Sequence, residues 1–178
     1  MANYGIVRTD NMKATKDGSI KSGRYYVGET ATEIENGNIV KLHSLISGER
    51  ELWKVVEPGA VTAKNLYIVA TPEIIYDESL KSNAALKEFR NEAGANLTLL
   101  QLQVGDVFSI SDACITPIDD ADDIPAVGNF VVPGATGTGT KWVEEDKIEA
   151  SEVCYGKIIA RETVAGVVLN VIEMQSIQ

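Results

Sequence analysis

The stretch that most restricts what this chain can become is Glu33-Ile34-Glu35-Asn36-Gly37-Asn38-Ile39-Val40-Lys41-Leu42. Asn36-Gly37 is a strong turn signal, because both residue types tolerate the positive φ that tight turns demand. The β-branched pair Ile39-Val40, closing on Leu42, then suits a half-buried strand. A similar phrase recurs as Pro125-Ala126-Val127-Gly128-Asn129-Phe130-Val131-Val132. In both places a Gly-Asn pair launches a short apolar strand. Neither phrase carries a reactive side chain, so they speak of a β scaffold rather than of chemistry.

Further strand-like runs support that reading. Arg24-Tyr25-Tyr26-Val27 stops at Gly28, and residues 42–46 alternate apolar and polar. Leu52-Trp53-Lys54-Val55-Val56 closes on Pro58-Gly59, and Leu66-Tyr67-Ile68-Val69-Ala70 ends before Pro72, past which Ile74-Ile75-Tyr76 would extend it. Residues 97–102 are mostly leucine, and a turn at Gly105 precedes a period-2 strand to Ile110. The end reads as a hairpin, with strands over 153–159 and 167–174 around a turn at 162–166. One helix is expected within residues 77–93: Asp77 as N-cap, Leu86, Phe89 and Ala93 on one face, Gly94 as the stop. Residues 1–23 are polar and read as an extended N-terminal arm, with Tyr4, Ile6 and Val7 as a short edge strand. The fold class is therefore mainly β, a small barrel or sandwich with one short α-helix inserted, and α+β is the alternative. Residues 24–178 form the β-rich globular domain.

At 178 residues the chain can bury one good core, or two small lobes, without crosslinks or metals. A formal net charge of −10 disfavours a nucleic-acid groove and equally an anionic membrane surface. No apolar run approaches the ~20 residues that cross a bilayer, and the first residues lack a secretory pattern. Synthesis and retention in a cytoplasm are expected, with Cys114 and Cys154 as two buried free thiols.

Candidate chemistry is sparse. His43 is the sole histidine, so a Ser-His or Cys-His centre would have to use it, with Ser44 or a cysteine nearby; no Gly-x-Ser-x-Gly elbow is present. Zinc would need Cys114, Cys154 and His43 to converge without any Cys-x-x-Cys spacing. The acidic run Asp119-Asp120-Ala121-Asp122-Asp123 could hold a hard cation, but lacks the glycine and bidentate glutamate of an EF-hand and reads as a solvated loop. Residues 134–141 form a Gly-Thr loop without the P-loop pattern. The sequon Asn96-Leu97-Thr98 has meaning only with secretion. Trp53, Trp142 and the tyrosines could form a sugar platform, and their scatter along strands suits a core or interface. No cofactor, metal or catalytic residue is assigned.

Met1 to Arg8, Glu35-Asn36-Gly37-Asn38-Ile39-Val40, Gly105-Asp106-Val107-Phe108, Pro125-Ala126-Val127-Gly128-Asn129 and Gly156-Lys157-Ile158-Ile159 follow one another in an order that resembles capsid decoration (cement) proteins of tailed bacteriophages infecting Firmicutes. The resemblance implies a non-enzymatic virion protein, made in the host cytoplasm, that binds the outside of the capsid shell and stabilises it. Its partner would be the major capsid protein, with a homo-oligomer on the shell as an option and no nucleic acid or membrane. The capsid-contact residues expected are those of the arm, Tyr4, Ile6, Val7 and Arg8. Deleting residues 1–9 should then leave the β domain folded and weaken attachment. The reading from another class is a small carbohydrate- or host-binding β module of a phage fibre, which would cluster aromatics on one exposed face.

Overall fold

The structure, a computed structural model, describes residues 4–17, 19–60, 65–74, 89–118, 124–134, 139–164 and 166–177. In chain order these form β1 (Val7–Asn11), α1 (Lys13–Asp17), β2 (Ile20–Val27), β3 (Thr30–Ala31), β4 (Ile39–Leu45), β5 (Leu52–Val56) and β6 (Leu66–Val69). There follow β7 (Leu97–Gln101), β8 (Val107–Ser111), β9 (Ile115–Thr116), β10 (Phe130–Pro133), β11 (Trp142–Glu145), β12 (Cys154–Val164) and β13 (Val167–Ile177). The fold is mainly β, as the turn-punctuated sequence predicts, and its sheets curl into a closed five-strand barrel and a half-barrel.

The barrel runs β2-β5-β4-β6-β7 and closes because β7 also pairs with β2, Ile20 opposite Leu100 through Gly23 opposite Leu97. Tyr25, Val40, Val55, Tyr67, Val69, Leu97 and Leu99 fill one cluster inside it. Gly23 faces that cluster: a Cβ there would lie 2.8 Å from Leu99 Cδ1 and 2.9 Å from Val55 Cγ1, so the filled barrel leaves no room for a side chain. The half-barrel is the sheet β1-β8-β13-β12-β10-β11-β9. Its Phe108, Ile110, Val131, Trp142, Ile158 and Ile172 pack against Ile39, Leu66, Ile68 and Leu100 from the barrel in a second cluster. Leu66-Tyr67-Ile68-Val69 is thus apolar without alternation because β6 is buried on both faces.

One expectation gives way. The N-terminal segment is not an extended arm: β1 pairs with β8 of the same chain, and Ile6, Val7, Met12 and Ala14 are buried. Asp106, 1% exposed, accepts hydrogen bonds from Lys13 N at the start of α1 and from Gln103 N, tying the segment to the β7–β8 turn. The four buried apolar residues lie in or directly before two short elements of different period, so no single periodicity reveals them. The position of β1 at the sheet edge does agree with an edge strand.

The helix expected within 77–93 falls mostly on residues 75–88, outside the described residues; residues 89–93 are not helical. There Asn91 exchanges two backbone hydrogen bonds of 3.0 Å with Ile34, a bridge that replaces helical bonding, and Gly94 follows in a turn with φ 81°. The described α-helix is α1, inside the supposed arm. Ile74 lies outside any strand and is exposed, so β6 does not continue through it. The terminal hairpin is longer than the sequence suggests, its pairing running to Val164 opposite Val167.

Gly37 has φ 83°, and a Cβ there would approach Cys114 Sγ to 2.6 Å. Gly37→Ala is expected to cost about 1–3 kcal/mol from backbone strain alone, with a further loss from the clash, measured as a lowered urea midpoint. Deletion of residues 1–9 should lower the melting temperature, because it strips Ile6 and most of β1 from the sheet. A deletion variant that melts with the full chain would restore the arm reading.

Candidate functional site

The Asn36-Gly37 turn sits where the barrel meets the half-barrel. Asn36 is fully buried, and its amide donates to Thr71 O at 2.8 Å and Glu73 Oε1 at 3.1 Å. Its Oδ1 accepts from Thr71 N and from Asn91 Nδ2, both at 3.1 Å. Gly37 N donates to Val69 O at 2.8 Å, and Gly37 O accepts from the Trp142 indole at 3.0 Å. The second Gly-Asn turn is held by Glu144, 5% exposed, whose Oε1 accepts from Ala126 N at 2.7 Å and Asn129 Nδ2 at 2.8 Å.

The residues flanking the first turn line an open cleft of about 340 Å³ at the barrel mouth. Tyr4, Tyr25, Glu33, Glu35, Asn38 and Arg90 supply its polar and aromatic groups. Arg90 Nη1 lies 3.2 Å from Glu33 Oε2 and donates to Tyr4 Oη at 3.3 Å, with its guanidinium 5.6 Å from the Tyr4 ring centroid. Glu35 Oε2 accepts from Gly5 N at 2.7 Å. Asn38 is 5% exposed and its Oδ1 has no hydrogen-bond partner. Burial raises the Tyr25 phenol pKa, with a smaller push from Glu57. Sequence reasoning did not find this site, because Arg90 meets Tyr4 and Glu33 only through the fold. Tyr4 was named for another reason.

The residues named as a capsid-contact arm are dispersed. Ile6 and Val7 point into the core, so they are not available for an outside partner. Tyr4 belongs to the cleft rim. Arg8 Nη1 donates to Glu162 Oε1 at 3.0 Å across the half-barrel face.

Among the described residues the exposed His43 meets its neighbour Ser44 in a hydrogen bond, Nδ1 and Oγ 3.1 Å apart, on the exposed end of β4. Cys114 and Cys154 are buried and free. Burial pushes both thiols up to about 12, which keeps them protonated and unreactive. Among the described residues no three His, Cys, Asp or Glu side chains are placed to hold a metal ion. The acidic run 119–123 and residues 135–138 of the Gly-Thr loop lie outside the described residues. Trp142 is fully buried and stacks at a tilt on Phe108, ring centroids 5.9 Å apart. Among the described residues no helix is long and apolar enough to cross a membrane.

Among the described residues Glu145 is the carboxyl group pushed up out of its ordinary range. Burial, then a hydrogen bond and repulsion from Glu152, then Glu149 and Asp146, raise Glu145 to about 7. No protein-family model, curated protein or solved structure matches this chain.

The folded state therefore holds a proton on Glu145 that the unfolded chain releases near 4.5. Its contribution to stability is complete below about pH 4.5 and is lost as pH rises through about 7. Glu145→Gln should flatten the melting temperature between pH 5 and 8 relative to the parent, with its gain at the alkaline end. Parallel profiles for the two proteins would contradict a raised Glu145 carboxyl.

Proposed function

We propose that this chain is a virion structural protein that decorates the outside of a tailed-bacteriophage capsid and stabilises it, with the major capsid protein as its partner. The observation that carries the reading is that exposed apolar side chains occur on both faces of the β12–β13 hairpin and on the loop beside it. Ile159 and Val164 lie on β12 itself, and Val168 faces Thr163 across the hairpin. Gly128 N donates to Ile158 O at 2.8 Å and Arg161 Nη1 to Pro125 O at 3.1 Å, bringing exposed Val127 and Ile124 alongside. Single exposed apolar residues are ordinary, whereas a grouped set marks a contact surface. Beyond Ile158 β12 has no partner on its β10 side, and β8 reaches β13 only from Leu169, so the tip beyond Glu162 and Leu169 has no further strand beside it.

Two further features support the reading. A net charge of −10 keeps free copies soluble before assembly. Many copies on a repeating shell then turn a modest interface into firm occupancy. The fibre-module alternative is not favoured, since no aromatic side chain among the described residues is in the exposed class. No catalytic role enters this proposal.

The test is co-sedimentation of the purified protein with empty shells that lack it. Val127→Asp/Ile159→Asp and Val164→Asp/Val168→Asp should each lower shell occupancy about tenfold or more, with the melting temperature little changed. Failure of the parent protein to sediment with shells would sink the proposal, and full binding by both variants would remove the β12 surface from it.

A further inference from the structure

We propose, independently of the capsid reading, that Asn36 is a chemical modification site: a deamidation site that the fold holds closed and that opens only when the junction of barrel and half-barrel comes apart.

Asn36 is the one asparagine of the chain that precedes a glycine. Asparagine is a thermolabile residue. With no Cβ on the next residue, the backbone nitrogen there reaches the asparagine side chain with little hindrance. In the reaction Gly37 N attacks Asn36 Cγ and a C–N bond forms, while the side-chain nitrogen leaves with the Gly37 proton as ammonia. Water then opens the five-membered imide at either carbonyl, which leaves aspartate or isoaspartate.

Every group that this reaction must move is tied down in the folded chain. Gly37 N donates to Val69 O at 2.8 Å, so the attacking atom is committed elsewhere. The Asn36 side chain is fully buried, away from water. Its Nδ2 donates to Thr71 O and Glu73 Oε1, and its Oδ1 accepts from Thr71 N and Asn91 Nδ2. Gly37 O, on the far side of the turn, is held by the Trp142 indole. The same bonds make the product incompatible with the fold. An aspartate has no amide N–H, so it would turn an oxygen on Thr71 O and a second negative charge on the Glu73 carboxylate. An isoaspartate threads the main chain through one extra carbon, which carries Gly37 away from Val69 and Trp142. Opening of this junction is therefore reversible only until the reaction has run.

The test is deamidation of the full chain in warm, mildly alkaline buffer across a urea series, with the peptide Glu33–Leu42 in the same solutions as reference. Peptide mass mapping and enzymatic counting of isoaspartate read the reaction at position 36. In urea that unfolds the chain, Asn36 should react at the peptide's rate. Without urea it should react about a hundredfold more slowly or less, and between these limits the rate should follow the unfolded fraction. After dilution from urea the reacted chains should not regain the native melting transition, while the unreacted ones do. Asn36→Asp makes the product directly, and should melt about 10 °C or more below the parent or fail to fold. The proposal is overturned by a folded chain that deamidates at the peptide's rate, by an unfolded chain that does not react, or by an Asn36→Asp variant that melts with the parent.

Discussion

The buried amide of Asn36 is the interaction on which the rest of the structure depends. Its two N–H groups and both acceptor positions on Oδ1 are in use, which is the full capacity of the side chain. Through them one residue fixes the stretch after β6 and the bridge at Asn91. Its own carbonyl accepts the Cys114 thiol at 3.3 Å, adding the turn between β8 and β9. Each such bond adds only about 1 kcal/mol net, but an unmatched partner in a dry interior costs the full desolvation of that group. The arrangement therefore specifies one register among the segments that meet there. Gly5 is part of the same constraint, since a Cβ on it would run into Asn36 O and Cys114 Sγ.

Gly37 carries the constraint from barrel to half-barrel. Its N–H is spent on β6 and its carbonyl on Trp142 of β11, the largest side chain of the shared core. The cluster between the two sheets draws on β1, β4, β6, β7, β8, β10, β11, β12 and β13. Barrel and half-barrel are consequently one packing unit.

Strand positions were legible in the sequence wherever an apolar run was bounded by a turn. Leu52–Val56 has the bounds its text suggests, and Leu66–Val69 and Leu97–Gln101 differ by a residue. The two Gly-Asn turns were legible too, because Gly37 and Gly128 take the positive φ their sequence allows. What could not be read was the pairing. β2 lies between the distant β5 and β7, and β1 lies beside β8, choices that depend on which faces are apolar after curling. The cleft stayed hidden for the same reason. Glu33, Asn38 and Arg90 are ordinary surface letters until the Ile34–Asn91 bridge brings them together.

The place of β13 in its sheet has a consequence for how the chain reaches this state. β13 lies between β8 and β12, which do not touch each other as strands without it. β8 and β12 must therefore each stay unpaired on one side until β13, Val167–Ile177, arrives. Synthesis runs ahead of assembly for most of the chain's length, and long-range strand pairing of this kind is slow. During that interval β8 offers one open edge, with Phe108 and Ile110 not yet covered by β13, the condition in which strands from separate molecules associate. The surplus of acidic residues then serves nascent chains as well as finished ones, by keeping those edges apart until the last strand slots in.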